Sequence, residues 1–258
     1  PISDAMEELL GEGMPGLSAP PGPDEWMRRL GTLPLLHQPG EKWMYNTGSD
    51  VLGILVARAV GQTLDTFLRE RIFEPLGMHD TGFHVAAKDL GRLATSYSTD
   101  PESGVLSVHD EPAGQWSRPP AFLSGAGGLV STVDDFLAFS RMMAGYGMYE
   151  GERILSRPSI ETMTTDQLTP GQKAGSDLVP GWFDTHGWGF GVGVVTHRID
   201  ASEPVGQYGW DGGLGTCWRV DPSEEMITIL MTQKAWTSPN PPIVCRDFFT
   251  SAYAAVDD

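Results

Sequence analysis

An α+β fold is predicted for these 258 residues by the order in which two hydrophobic periods appear. Apolar spacings of three and four residues fill the middle of the chain, as helices require, whereas glycine-studded strand segments come late, from about residue 187. An amphipathic segment then closes the chain, suited to cover the small antiparallel sheet that the strands would form.

A short opening helix is expected first. Turn formers between Gly11 and Asp24, among them Pro15, Gly16, Pro20, Pro21, Gly22 and Pro23, then hold a loop. Glu25 to Leu30 fits one or two helical turns. Beyond the turn Gln38-Pro39-Gly40-Glu41, the run from Val51 to Val60 is so densely apolar that its helix is expected to be buried on most sides. Thr47 or Ser49 suits its N-cap and Gly61 its C-terminal end. Thr63 opens the next helix, with Leu64, Phe67, Leu68, Ile72 and Phe73 on one face and Pro75 as its stop. Residues 92 to 121 look irregular, with strand-like pieces at Ala94–Ser98 and Val105–His109, and are expected to border a ligand.

Ser124-Gly125-Ala126-Gly127-Gly128 permits close backbone approach. It precedes a helix from Thr132 to Ala144 with Asp134 and Asp135 in the first turn. A short helix follows Ser156. The strand segments are Trp188–Val195, Gly215–Val220 and Met226–Thr232, the last two joined as a hairpin through Asp221-Pro222-Ser223-Glu224. The closing helix spans about Pro242 to Val256.

Lys and Arg number 17 against 34 Asp and Glu, a net charge of −17. Its average field repels phosphate, so nucleic acid and anionic membrane surfaces are poor candidates for partners. Cys217 and Cys245 have no metal-ligand spacing and read as two buried free thiols, with a disulfide the open alternative. The histidines are scattered without metal spacing and read as surface or loop residues. No apolar run approaches the length of a membrane span, and no signal peptide is visible at the start. A soluble protein of bacterial type, cytoplasmic or exported, is the expectation, with the compartment unassigned.

Two stretches carry chemistry together. Tyr45-Asn46-Thr47-Gly48 precedes the buried helix, and Gln207-Tyr208-Gly209-Trp210-Asp211-Gly212-Gly213-Leu214-Gly215-Thr216 forms a glycine-dense turn running into a strand. With Pro39-Gly40, Leu52-Gly53, Gly61, Pro75-Leu76-Gly77-Met78, Thr81, Gly127-Gly128-Leu129, Ser131 and Asp134 they stand in one order over nearly the whole chain. That ordered set resembles the serine β-lactamase-like hydrolases. The likeness is to the branch holding class C β-lactamases, family VIII carboxylesterases and penicillin-binding-protein-like esterases and peptidases.

The resemblance implies a β-lactamase/transpeptidase-like α+β fold, an antiparallel sheet flanked by helices with a helical region beside it. The chain corresponds to the C-terminal portion, one domain over 1–258 incomplete at its N-terminus. About 1–180 is mainly helix and loop, and about 181–258 holds strands and the closing helix. It also implies an acyl-enzyme mechanism without metal or organic cofactor, in which Tyr45 is the base and the N–H of Gly213 is half of an oxyanion hole. Thr47, Trp210, Asp211 and Gly212 line the substrate. A phenol is a weak base unless a nearby cation favours phenolate, and the family supplies that cation from a Ser-x-x-Lys pair. Here the lysines are Lys42, Lys88, Lys173 and Lys234, preceded three residues earlier by Pro39, Val85, Pro170 and Met231. No Ser-x-x-Lys exists in this chain.

Either a segment or companion chain carrying that pair lies outside these residues, which is the expected case, or the protein is a non-catalytic binding relative. The chain alone is expected to be inactive. Where many relatives carry Asn, position 47 is Thr, which offers no amide. Trp210 stands where lactamases hold a cationic or imidazole side chain, and Asp211 adds a negative charge if it points inward. Small neutral esters are therefore the expected substrates, with β-lactams or D-amino-acid amides as alternatives. Trp116 and Trp182, in loops, are candidates to line an acyl pocket.

Overall fold

The computed structural model describes residues 20–100, 102–176 and 179–257. The expected opening helix and most of the loop after it lie outside them. Strands β5 (His186–Trp188), β6 (Gly193–Val195), β7 (Tyr208–Gly212), β8 (Thr216–Asp221) and β9 (Met226–Met231), numbered in chain order, form one antiparallel sheet in sequential order. Two small hairpins precede it: β1 (Ser96–Thr99) with β2 (Leu106–Asp110), and β3 (Met148–Tyr149) with β4 (Glu152–Arg153). The fold is the expected α+β arrangement of an antiparallel sheet with helices.

Helix α1 is Pro23–Leu30, α2 is Thr47–Val60 and α3 begins at Leu64–Leu68. The chain then runs through a wider π turn, Arg69–Phe73, into Glu74–Leu76. Pro75 does not stop this helix as expected. It sits in the final turn, and Gly77, left-handed at φ 69°, ends it. Helices α4 (Val133–Ala144), α5 (Arg157–Met163), α6 (Pro170–Lys173) and α7 (Ile243–Tyr253) follow. Thr132 caps α4 through its side chain, which accepts from Asp135 N, as its type predicts.

Period-two alternation in β8 explains the layers. Trp218 and Val220 join a core with Met142 and Met143 of α4, Ile160 of α5, and Phe73 and Leu76 of the α3 segment. Cys217 faces the other way, into a cluster with Cys245 and Phe249 of α7. The sheet is thus covered by helices on both faces. Cys217 and Cys245 are buried, as expected, but bonded to each other: β8 and α7 bring two residues 28 positions apart to a Cα separation of 6.6 Å, and they form a disulfide.

Two other expectations need correction. Residues 188–195 are not one strand, because Gly191, at φ 85°, turns the chain and Gly189 N donates to Val192 O across a tight connection. In α2, Ile54 is buried against Trp26 and Phe122, whereas Leu52 and Leu55 are 56% and 59% exposed. Nothing among the described residues covers that apolar face. No single helix among them is long and apolar enough to cross a membrane.

Candidate active site

The start of α2 holds the first site residues. Neither Thr47 nor Ser49 is its N-cap. Asn46 takes that position at φ 100°, without a side-chain cap. A non-glycine residue there is strained by about 1–3 kcal/mol, which the surroundings must hold in place. They do so through the glycine loop that follows Phe122. Asp50, buried in the first turn of α2, accepts from Ser124 Oγ at 2.5 Å and from Ala126 N at 3.4 Å. Gly125 passes so close that a Cβ there would meet Ser49 O at 2.1 Å.

Burial pushes the Asp50 carboxyl above the usual carboxylate range, against the opposing effect of the Ser124 and Ala126 hydrogen bonds. The folded state therefore keeps its proton to higher pH than the unfolded chain does. This contribution to stability is present below the unfolded value and is lost as pH rises through the folded one. Asp50→Asn keeps Oδ1 as the acceptor and is expected to remove that slope. Melting temperatures from acid to neutral pH check this; parallel pH slopes for both proteins would count against it.

Tyr45 lies two residues before α2 and is 41% exposed. Its hydroxyl accepts a 2.9 Å hydrogen bond from Trp210 Nε1, across 165 residues. The two motifs are therefore in contact. Thr47, the first residue of α2, is half-buried.

Gly213 lies in the turn that joins β7 to β8. Gly215 N donates to Gly212 O inside that turn at 2.9 Å. In a trans peptide the N–H points opposite to its C=O, so the Gly213 N–H points outward. No atom lies within 4 Å of where a Gly213 Cβ would stand. Gly212 is constrained instead, since a Cβ there would meet Thr216 Oγ1 at 2.5 Å.

Asp211 is not a free charge. Arg219 donates to both its carboxylate oxygens, at 2.6 and 2.9 Å, and the guanidinium also lies 4.9 Å from the Phe249 ring centroid. Burial works against the charge of Arg219, but Asp211, by charge and hydrogen bond, outweighs it and holds the guanidinium protonated. Lys42 and Lys173 are also committed. Lys42 Nζ donates to the carbonyls of Gly171 and Ala174, and Lys173 Nζ to Asp166 at 2.5 Å.

Around Tyr45 stand rings whose grouping was not legible beforehand. Trp43, Trp188 and Trp210 contact it at centroid distances of 5.7, 6.1 and 5.8 Å. Trp182 joins through Trp188 and Trp210, and Phe183 through Trp43. His186 is no surface histidine: it stacks on Trp182 at 4.6 Å, and burial holds it below the ordinary imidazole value. Trp116 makes no ring contact with this group among the described residues, and its Nε1 donates to Gly128 O. The spacings Trp43/Tyr45 and His186/Trp188 were the available signal, since alternate positions of extended chain share a face. Among the described residues no group of three His, Cys, Asp or Glu side chains could hold a metal ion.

Comparison with known proteins agrees with this architecture. Residues 5–242 match the protein family described as Beta-lactamase. Protein Rv1367c of Mycobacterium tuberculosis is 39% identical over 263 residues, spanning 99% of this chain and 60% of that protein. Esterase EstB of Burkholderia gladioli is 29% identical over 238 residues, covering 85% and 57%. A solved structure of simvastatin synthase from Aspergillus terreus, the LovD6 mutant, superposes with a TM-score of 0.71 at 23% identity, covering 90% and 60%, and shows the shared fold. The chain spans about 60% of the length of these relatives. With the family matched from residue 5 to residue 242, the chain belongs to the Beta-lactamase family, within the serine β-lactamase-like hydrolase superfamily.

Proposed function

We propose that this chain supplies two of the three catalytic parts of a carboxylesterase acting on small neutral esters. The Trp210 Nε1 to Tyr45 hydroxyl hydrogen bond carries the reading, because it joins the tyrosine motif to the strand that ends in Gly213. The third part, a Ser-x-x-Lys pair, comes from a segment or companion chain outside these residues. The serine Oγ bonds to the ester carbonyl carbon as Tyr45, assisted by the lysine, takes its proton. The negative oxygen rests on the N–H groups of Gly213 and of the serine. The alcohol leaves with a proton, and water then releases the acid from the acyl-enzyme.

Thr47, Trp210, Asp211 and Gly212 shape the substrate side of this site. Lys42, Lys173 and Arg219 are already bonded to protein oxygens, so a substrate carboxylate finds no free cation among them. This favours neutral esters over β-lactams, and the esterase activity named for the relative EstB points the same way. If no Ser-x-x-Lys accompanies the chain in nature, a non-catalytic binding protein is the alternative.

The natural polypeptide containing these residues tests the proposal. Its kcat/KM on p-nitrophenyl acetate is expected to exceed that on benzylpenicillin by about 10–100-fold, the worth of one hydrogen bond to a charged group. Comparable rates on both would overturn the neutral-ester assignment.

A further inference from the structure

We propose that the ring cluster around Tyr45 selects the substrate, and that it takes neutral esters carrying an aromatic ring. The ester bond in this assignment depends on the hydrolase reading above; the ring-binding surface does not.

Four separate parts of the chain converge to build that surface. Trp43 and Tyr45 come from the loop before α2, Trp182 and Phe183 from the turn Trp182–Asp184, Trp188 from β5 and Trp210 from β7. Several of their contacts are edge-to-face, while Trp43–Tyr45, Trp43–Trp188 and Tyr45–Trp210 are tilted. Trp188 meets Trp210 at 4.5 Å and 87°, Trp182 meets Trp210 at 5.7 Å and 87°, and Tyr45 meets Trp188 at 6.1 Å and 88°. Edge-to-face contact is an arrangement aromatic pairs prefer, because the positive edge of one ring meets the negative face of the other. An incoming aromatic ring extends the pattern by offering its own face to an exposed ring edge. An ammonium ion needs an open ring face, and here neighbouring edges already point at those faces.

The cluster differs from a packed core. Trp26, a core ring, is 1% exposed. Trp43, Trp182, Trp188 and Trp210 are only half-buried, and Tyr45 is exposed, beside the hydroxyl that the mechanism uses. The backbone is also cut to fit them. In β6, between Val192 and Val194, stands Gly193, where a Cβ would lie 3.1 Å from Trp182 and 3.2 Å from Trp210. A Cβ there would press on both indoles and shift them by a few tenths of an ångström.

Charge completes the selection. Lys173 Nζ is 5.8 Å from the Phe183 centroid but bonded to Asp166, and Asp211 is matched by Arg219. A benzoate-like anion therefore leaves its charge unpaired against aromatic surface.

Equilibrium dialysis or calorimetry on the natural polypeptide tests this with ligands that cannot be hydrolysed. Acetophenone is expected to bind about 2–10-fold tighter than cyclohexyl methyl ketone, the fold-change of one aromatic pair. It is also expected to bind tighter than benzoate and phenyltrimethylammonium. Trp182→Leu and Gly193→Ala should each erase the preference between the two ketones, with circular dichroism checking the fold, while Trp116→Leu retains it. Equal ketone affinities in the native protein would overturn the assignment, as would benzoate or the ammonium ion binding as well as acetophenone. A ring preference without ester turnover would sink the hydrolase reading alone. Ester turnover with no ring preference would sink this assignment alone.

Discussion

Purified by itself, the 258-residue chain is expected to hydrolyse p-nitrophenyl acetate no faster than buffer. The physical reason is the missing Ser-x-x-Lys. In the proposed mechanism Tyr45 takes a proton and the Gly213 N–H holds an oxyanion, but neither forms the acyl bond, and loss of a serine nucleophile costs about 10⁶ in kcat in a serine hydrolase. Adding a polypeptide that carries the pair, or assaying the longer natural protein, should restore turnover. The cleanest readout is a single-turnover burst of p-nitrophenol with mass increase by one acyl group on the serine. Turnover by the isolated chain would mean that another nucleophile operates and that the assigned roles are wrong.

Tyr45→Phe in the complete protein is the second large effect, an expected loss of about 10²–10⁴-fold in kcat, the usual worth of a positioned general base. KM and melting temperature should move little. Only the hydroxyl is removed, Tyr45 is partly exposed, and Trp210 Nε1, its hydrogen-bond partner, lies at a site where water can replace it. The ring contacts with Trp43, Trp188 and Trp210 remain available. Acetophenone binding should likewise survive, separating the base from the ring surface. A variant retaining kcat within about threefold, far less than a base contributes, would remove Tyr45 from that role.

Much of the architecture could be read from local patterns. The Thr132 cap, the Gly61 end, the hairpin of β8 and β9 and the amphipathic closing helix depend on a few adjacent residues and appear as expected. The misreadings share one cause. Residues 188–195 carry a strand-like alternation, yet a single left-handed glycine folds them into two strands. The apolar content of α2 implied burial all round, but burial depends on what packs alongside, and one face is uncovered among the described residues.

The same division holds at the site. Residue identity and order by themselves determined the α+β class, the pairing of the Tyr45 motif with the 207–216 stretch, the lack of Ser-x-x-Lys and the absence of a cation at position 210. These are properties of short segments and of side-chain chemistry. Only the tertiary structure decided that Arg219 matches Asp211, that Cys217 and Cys245 are joined, and that Trp43, Trp182, Trp188 and Trp210 gather around Tyr45. Apart from Trp43 beside Tyr45, those facts are contacts made by sheet register or by loops crossing the fold, between residues 8 to 165 positions apart. No local pattern encodes such a contact, because its energy exists only once the chain has closed.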